Sequence, residues 1–180
     1  MEPSLKSYFD RLDVKLAALF EDLNKYSDDD LNWKPKADQW SVLQVMIHLM
    51  LAEKAGLNYM QKKLSSGADH IPKAGILSAF SQIFLVAALR VPIKAKAPAA
   101  VSGENLPERS SFWDIVKQWK KQREDLRAFL STLPPEILVK QIYRDPFSGR
   151  SNAKGMLRFC DEHFHRHRKQ INRILQNYRY

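Results

Sequence analysis

The chain has 180 residues, 44% of them hydrophobic and 27% charged, with a formal net charge of +9. This is the composition of one globular domain with a core of its own, and it excludes wholesale disorder. A single cysteine, Cys160, excludes an internal disulfide and any metal site built from several thiolates.

Taken in chain order, Leu5, Phe9, Leu12, Leu16, Leu19, Leu23 and Tyr26 recur every three or four residues and predict a first helix, with Ser4 as its N-cap. The run Asp28-Asp29-Asp30 is expected to end it, and Asn32-Trp33-Lys34-Pro35 reads as a loop. A second helix is expected from about Asp38 to Leu64. Its stretch from Trp40 to Glu53 is apolar nearly all round, so it should be buried on more than one side. A further helix is expected over Ala74–Leu89. Its apolar run from Ile76 is shorter than the ~20 residues a membrane span needs, so it should cover the bundle or a dimer partner.

Pro92, Pro98 and Pro107 then mark an irregular stretch. A third helix is expected from about Ser110 to Leu133, with Phe112, Val116, Trp119, Leu126, Phe129, Leu130 and Leu133 as its stripe and Pro134-Pro135 as its stop. The fourth runs from about Asn152 to Tyr178, capped by Ser151 or Asn152. On its stripe lie Met156, Cys160, His163, His167, Ile171, Ile174 and Tyr178. No β-hairpin signal and no internal repeat are found. Four long helices in one domain, residues 1–180, imply an all-α four-helix bundle. The long crossover between the second and third allows an up-down-down-up order, with the extra helix inside it.

The charge is uneven. Residues 1–30 carry eight acids against four bases, so the basic excess lies in the rest of the chain. Such an excess suits an anionic partner, or is simply a solvated surface. With no zinc-finger, helix-turn-helix or RNP-type motif, nucleic acid is not expected as a partner. No basic start followed by an apolar run heads the chain, so a signal peptide is not expected and a cytoplasmic protein without a membrane span is the default.

Of the five histidines, His163 and His167 are four apart and project from the apolar stripe of one helix. His48 sits in the most apolar part of the second helix. Three imidazoles directed into one core are costly unless each finds a partner. They become favourable on a shared metal ion. An i, i+4 pair and a third ligand from a facing helix can hold a Zn²⁺-like ion with its fourth position open. The alternatives are hydrogen-bonded core histidines, or a basic surface for the run His163-Phe164-His165-Arg166-His167-Arg168.

These residues resemble a known family. Trp40-Ser41-Val42-Leu43-Gln44-Val45-Met46-Ile47-His48-Leu49, followed by Ala52-Glu53, is similar to the second-helix signature of the DinB/YfiT-like superfamily. His163-Phe164-His165-Arg166-His167-Arg168-Lys169-Gln170-Ile171 resembles its last-helix signature. Pro146-Phe147-Ser148-Gly149-Arg150-Ser151 resembles the turn before that helix, and Lys94-Ala95-Lys96-Ala97-Pro98 the segment before the third. The resemblance spans nearly the whole chain. It implies an up-down-down-up four-helix bundle with a three-histidine metal site, often nickel or zinc, whose ligands here would be His48, His163 and His167. Characterised members include S-transferases and isomerases that use low-molecular-weight thiols such as bacillithiol, mycothiol or glutathione, and others are labelled metal-dependent hydrolases.

The remaining candidates each have a functional and a structural reading. Glu53 is either an acceptor behind a ligating histidine, or a general base, or half of a surface salt bridge. Gln122 and Arg123 either line the site or mark the rim of the packed face. Cys160, one turn before His163, is a fourth ligand, a reactive thiol or simply buried. His165 is turned ~200° from its neighbours and should face solvent, as should His70 in its loop. Arg150, Lys154, Arg158, Arg166, Arg168 and Lys169 could attract an anionic thiol. The leading expectation is therefore a metal-dependent enzyme that transfers a low-molecular-weight thiol to an electrophilic small-molecule substrate. A hydrolase using metal-bound water is the first alternative. A non-enzymatic helical homodimer with a structural or empty site is the second.

Overall fold

The apolar stripes read from the sequence become four long helices in the computed structural model, which describes residues 2–75, 106–145 and 149–178. The chain is mostly helical. In order come α1 (Pro3–Leu23), the short α2 (Asp28–Asn32), α3 (Val42–Leu64), α4 (Phe112–Thr132), the short α5 (Pro135–Leu138), strands β1 (Tyr143–Asp145) and β2 (Gly149–Ser151), and α6 (Ala153–Tyr178). The helix expected over Ala74–Leu89 lies, from residue 76, outside the described residues, as does the segment Lys94–Pro98. No described helix is long and apolar enough to cross a membrane.

Several boundaries differ from the expectation, each for a local reason. The N-cap of α1 is Glu2 rather than Ser4. Its carboxylate accepts from the backbone N–H of Ser4 and of Leu5 at 2.9 and 3.0 Å, and the Ser4 hydroxyl itself donates to Glu2. Pro3 suits the first helical turn, where no N–H is needed. The helix α3 starts at Val42, not near Asp38, because Ser41 and Gln44 close a capping box there.

The three aspartates do not merely end α1; they form the first turn of α2, with Ser27 and Asp30 as a second capping box. That turn also caps α4. The Ser111 side chain makes no cap bond, and Asp28 Oδ1 instead accepts from Phe112 N at 2.9 Å. Asn32 exchanges two hydrogen bonds with the Ser110 backbone. A carboxylate at the N-terminus of α4 also complements that helix's dipole. At α6 the expected cap is present, since Asn152 Oδ1 accepts from Gly155 N at 3.0 Å.

The reading that found no hairpin is corrected. Strands β1 and β2 pair antiparallel, Tyr143 with Ser151, Arg144 with Arg150 and Asp145 with Gly149. Three-residue strands are too short to display an alternating pattern. Gly149 adopts φ +79°, a conformation that favours glycine at the start of β2.

Helix α3 packs against α4 and α6, and α1 packs against the same two. The apolar core between them falls into two clusters. One holds Leu16–Leu23 of α1, Val42–Met50 of α3, Phe112–Trp119 of α4 and Phe164–Ile174 of α6. The other holds Leu5–Leu12, Leu57 and Met60, Leu126 and Leu130, and Met156–Cys160. On each long helix a polar residue stands at the break: Asp13, Glu53, Arg123 and His163.

Glu53 and Arg123 are 4% and 5% exposed and form a two-pronged ion pair at 2.6 and 2.7 Å. Trp119 Nε1 donates to the same carboxylate at 2.9 Å. Arg123 also reaches Asp13 at 3.0 Å, and Arg127 joins Asp13 to Asp10. Burial opposes the charge on Arg123, but the charge and hydrogen bonds of Glu53 more than offset it, so its pKa is raised.

Removing one partner of such a pair leaves a bare charge in the core, which costs roughly 3–5 kcal/mol. Arg123→Met should therefore lower stability by about that amount in urea denaturation. Adding Glu53→Gln, which removes the orphaned charge yet still accepts from Trp119, should restore a large part of it. A single variant within about 0.5 kcal/mol of the parent would show that the pair is not closed in solution.

Candidate metal centre

The first half of α3 is buried on every side from Val42 to Met50, as its all-round apolar sequence predicts, and this places His48 inside the core. On α6 the stripe through Met156, Cys160, Ile171 and Ile174 carries His163 and His167 inward, while Tyr178 at its end is exposed. The three imidazoles meet. Their donor atoms lie within 4.8 Å of one another, and all three residues are buried. Nε2 of His48 is 3.2 Å from Nε2 of His163. Ring centroids are 5.0 Å apart for His48 and His163, 4.8 Å for His48 and His167, and 4.6 Å for His163 and His167.

The chemistry of this donor set fits a divalent cation. Two nitrogens bound tetrahedrally at ~2.0–2.1 Å from one ion are ~3.3 Å apart, close to the observed separation. The same separation suits an N–H···N hydrogen bond in the metal-free protein. Burial pushes the pKa of His163 well below its ordinary value, and the neighbouring His167, His48 and Arg166 push the same way. His167 is lowered to about 3, by burial first and then by His48, against a hydrogen bond to Gln170 that raises it. Both rings are therefore neutral at pH 7, each with a lone pair free to bind a metal.

The other candidates are placed as follows. His165 and His70 are exposed, as expected. Cys160 is buried, 3.9 Å from the Met156 sulfur, and burial followed by the Glu53 charge raises its thiol pKa well above the ordinary value. It is a packed thiol held in its protonated form, not a thiolate ligand. Glu53 is in a buried ion pair rather than a surface salt bridge, and Arg123 and Trp119 between them donate to both of its oxygens. Arg123 pairs with Glu53 and Asp13. Gln122 donates to the Met50 carbonyl at 2.9 Å and so ties α4 to α3. Among the bases of the last third, Arg168 pairs with Asp22, and Arg150, Lys154 and Lys169 are exposed.

Three residues around the cluster were not assigned a role from sequence. The half-buried Trp40 lies 4.9 Å from the His48 ring and stacks within 16° of parallel on His167 at 6.5 Å. Phe159 stacks on His163 at 5.1 Å. Gln170 Oε1 is 2.8 Å from Nδ1 of His167. The signal for the last two was helical spacing, since Phe159 is four residues before His163 and Gln170 three after His167. Trp40 precedes its helix, and no periodicity locates it.

A family model described as the DinB superfamily matches residues 8–171. The chain belongs to that superfamily. No curated protein and no solved structure gives a significant match.

The lowered histidine pKa values carry a sign for stability. Above pH 6.5 these rings are neutral both folded and unfolded. Below 6.5 the unfolded chain takes up protons that the fold refuses, so stability falls with pH, and for His167 it levels off only below about 3. In chelator-treated protein His167 alone should account for about 1–2 kcal/mol of lost stability near pH 5.5, read by urea denaturation between pH 7.5 and 5. A His163→Asn, His167→Asn variant should lose most of that dependence. An unchanged stability across this range in the parent would contradict the burial of neutral imidazoles.

Proposed function

We propose that this DinB-superfamily chain is a metal-dependent enzyme that binds one divalent cation, zinc or nickel, through His48, His163 and His167. We propose further that it transfers a low-molecular-weight thiol to an electrophilic small-molecule substrate. The observation that carries the reading is the convergence of three buried imidazoles from two helices inside a family-matched chain. The fold that accompanies it is a single-domain, up-down-down-up four-helix bundle, working as a cytoplasmic homodimer.

When bound, the cation would supply Lewis acidity, lowering the pKa of a coordinated thiol so that a nucleophile is present near neutral pH. The chain's own part is to keep three buried imidazoles converged. Trp40 and Phe159 pack beside the imidazole rings. No second nucleophile is assigned, because Cys160 is buried with a raised pKa. The exposed bases Arg150, Lys154 and Lys169 favour the approach of an anionic thiol.

Metal analysis of the purified protein should give about one zinc or nickel per chain. His163→Ala and His167→Ala should remove it while circular dichroism keeps the helical signal, because two apolar clusters flank the site. Thiol consumption with a haloaromatic electrophile should disappear with the metal. Metal-dependent turnover of an ester without thiol would replace transfer by hydrolysis. A folded, metal-free parent that consumes thiol at full rate would overturn the proposal, and light scattering tests the dimer.

A further inference from the structure

Two neutral imidazole tautomers are open to each histidine of the cluster, and only one nitrogen per ring can carry the lone pair that faces a metal. His48 and His163 present Nε2 to each other at 3.2 Å. His167 is different, because its Nδ1 lies 2.8 Å from the amide oxygen of Gln170, an acceptor one helical turn along α6. An oxygen at that distance requires a proton on the ring nitrogen.

We propose that Gln170 is a positioning residue for the three-histidine centre: its Oε1 holds the proton on Nδ1 of His167 and so leaves the Nε2 lone pair of that ring for the ion. The inference rests on the metal reading given above and adds to it the residue that sets one ligand's tautomer. Ligating histidines commonly donate their second ring N–H to a fixed acceptor, which also raises the basicity of the ligating nitrogen. Gln170 is half-buried and held by the helix that carries His167, so the contact survives small movements between helices. The ring of Trp40 lies nearly parallel to that of His167, with centroids 6.5 Å apart.

The test has two parts, and the first needs no metal. In chelator-treated, ¹⁵N-histidine-labelled protein at pH 7.5, long-range ¹H–¹⁵N spectra should show His167 as the Nδ1–H tautomer. Gln170→Leu should shift it toward Nε2–H, whereas Gln170→Glu, which keeps the acceptor, should not. In the second part, Zn²⁺ is titrated against a chromophoric chelator. Gln170→Leu should weaken binding about 10–100-fold, and Gln170→Glu should bind at least as tightly as the parent. Should Gln170→Leu fail to fold by circular dichroism, Gln170→Met serves in its place. A parent His167 in the Nε2–H form, or Zn²⁺ affinity unchanged in a folded Gln170→Leu, would overturn the inference and leave the metal site standing. A parent that binds no Zn²⁺ would overturn the metal reading itself.

Discussion

The buried ion pair between Glu53 and Arg123 sets the level at which the helices meet. Each prong is short, and the tryptophan of the next turn shares the carboxylate. Sliding α4 along α3 by one turn, ~5.4 Å, would break all three bonds and strand two charges. A buried pair adds little net stability over an apolar filling, but it discriminates sharply between registers. Asp13 extends the same constraint to α1. Three helices are therefore indexed to one another at a single polar level between two apolar clusters, and the histidine cluster depends on that indexing. His48 is a little over one turn from Glu53 on the same helix, so its height is fixed once Glu53 is fixed.

The fourth helix is indexed by different means. On α6 the polar break is His163 itself, which has no ionic partner across the core among the described residues. Close packing takes over: a methyl group on Gly56 of α3 would stand 2.9 Å from the Met156 terminal carbon and 3.3 Å from the Tyr143 ring. The absent side chain lets α6 and β1 lie close against α3 there. On the other flank Lys15 pairs with Asp161 and Arg168 with Asp22, joining α6 to α1. Those pairs are partly exposed and contribute little energy, but they sit on either side of the turn that carries His163. Height along the axis thus comes from charge on three helices and from shape on the fourth.

Much of this was legible in the sequence because both signals are periodic. The stripes from Leu5 to Leu23 and from Phe112 to Leu130 are buried where the spacing put them, apart from the half-buried Phe129. The convergence of His48 with His163 and His167 was expected from two buried faces, one i, i+4 interval and the family resemblance. What was not legible was pairing across the chain. Glu53 and Arg123 are 70 residues apart, and each alone reads as an interruption of an apolar face. The capping of α4 by Asp28 and Asn32 crosses about 80 residues, so the acidic run read as a terminator when it is a turn with two tasks. The β1–β2 hairpin escaped because three residues cannot show a period of two.

The uneven charge of the chain is resolved by the same contacts. The acid-rich first thirty residues do not form a free acidic surface. Asp10 and Asp13 answer Arg127 and Arg123, Asp22 answers Arg168, Asp29 answers Arg109, Asp28 caps α4, and Asp30 accepts from Tyr178. Those acids are taken up in joining α1 and α2 to α4 and α6, so the uncompensated positive charge remains on the later part of the chain. Arg166 and Arg173 stand near His167 and disfavour a proton there, which keeps its nitrogen available. A field of that sign also draws anions toward the helix that carries two of the three imidazoles. The pairs that take up the acids of α1 and α2 thereby leave this end with His163 and His167 unprotonated and with a positive excess beside them.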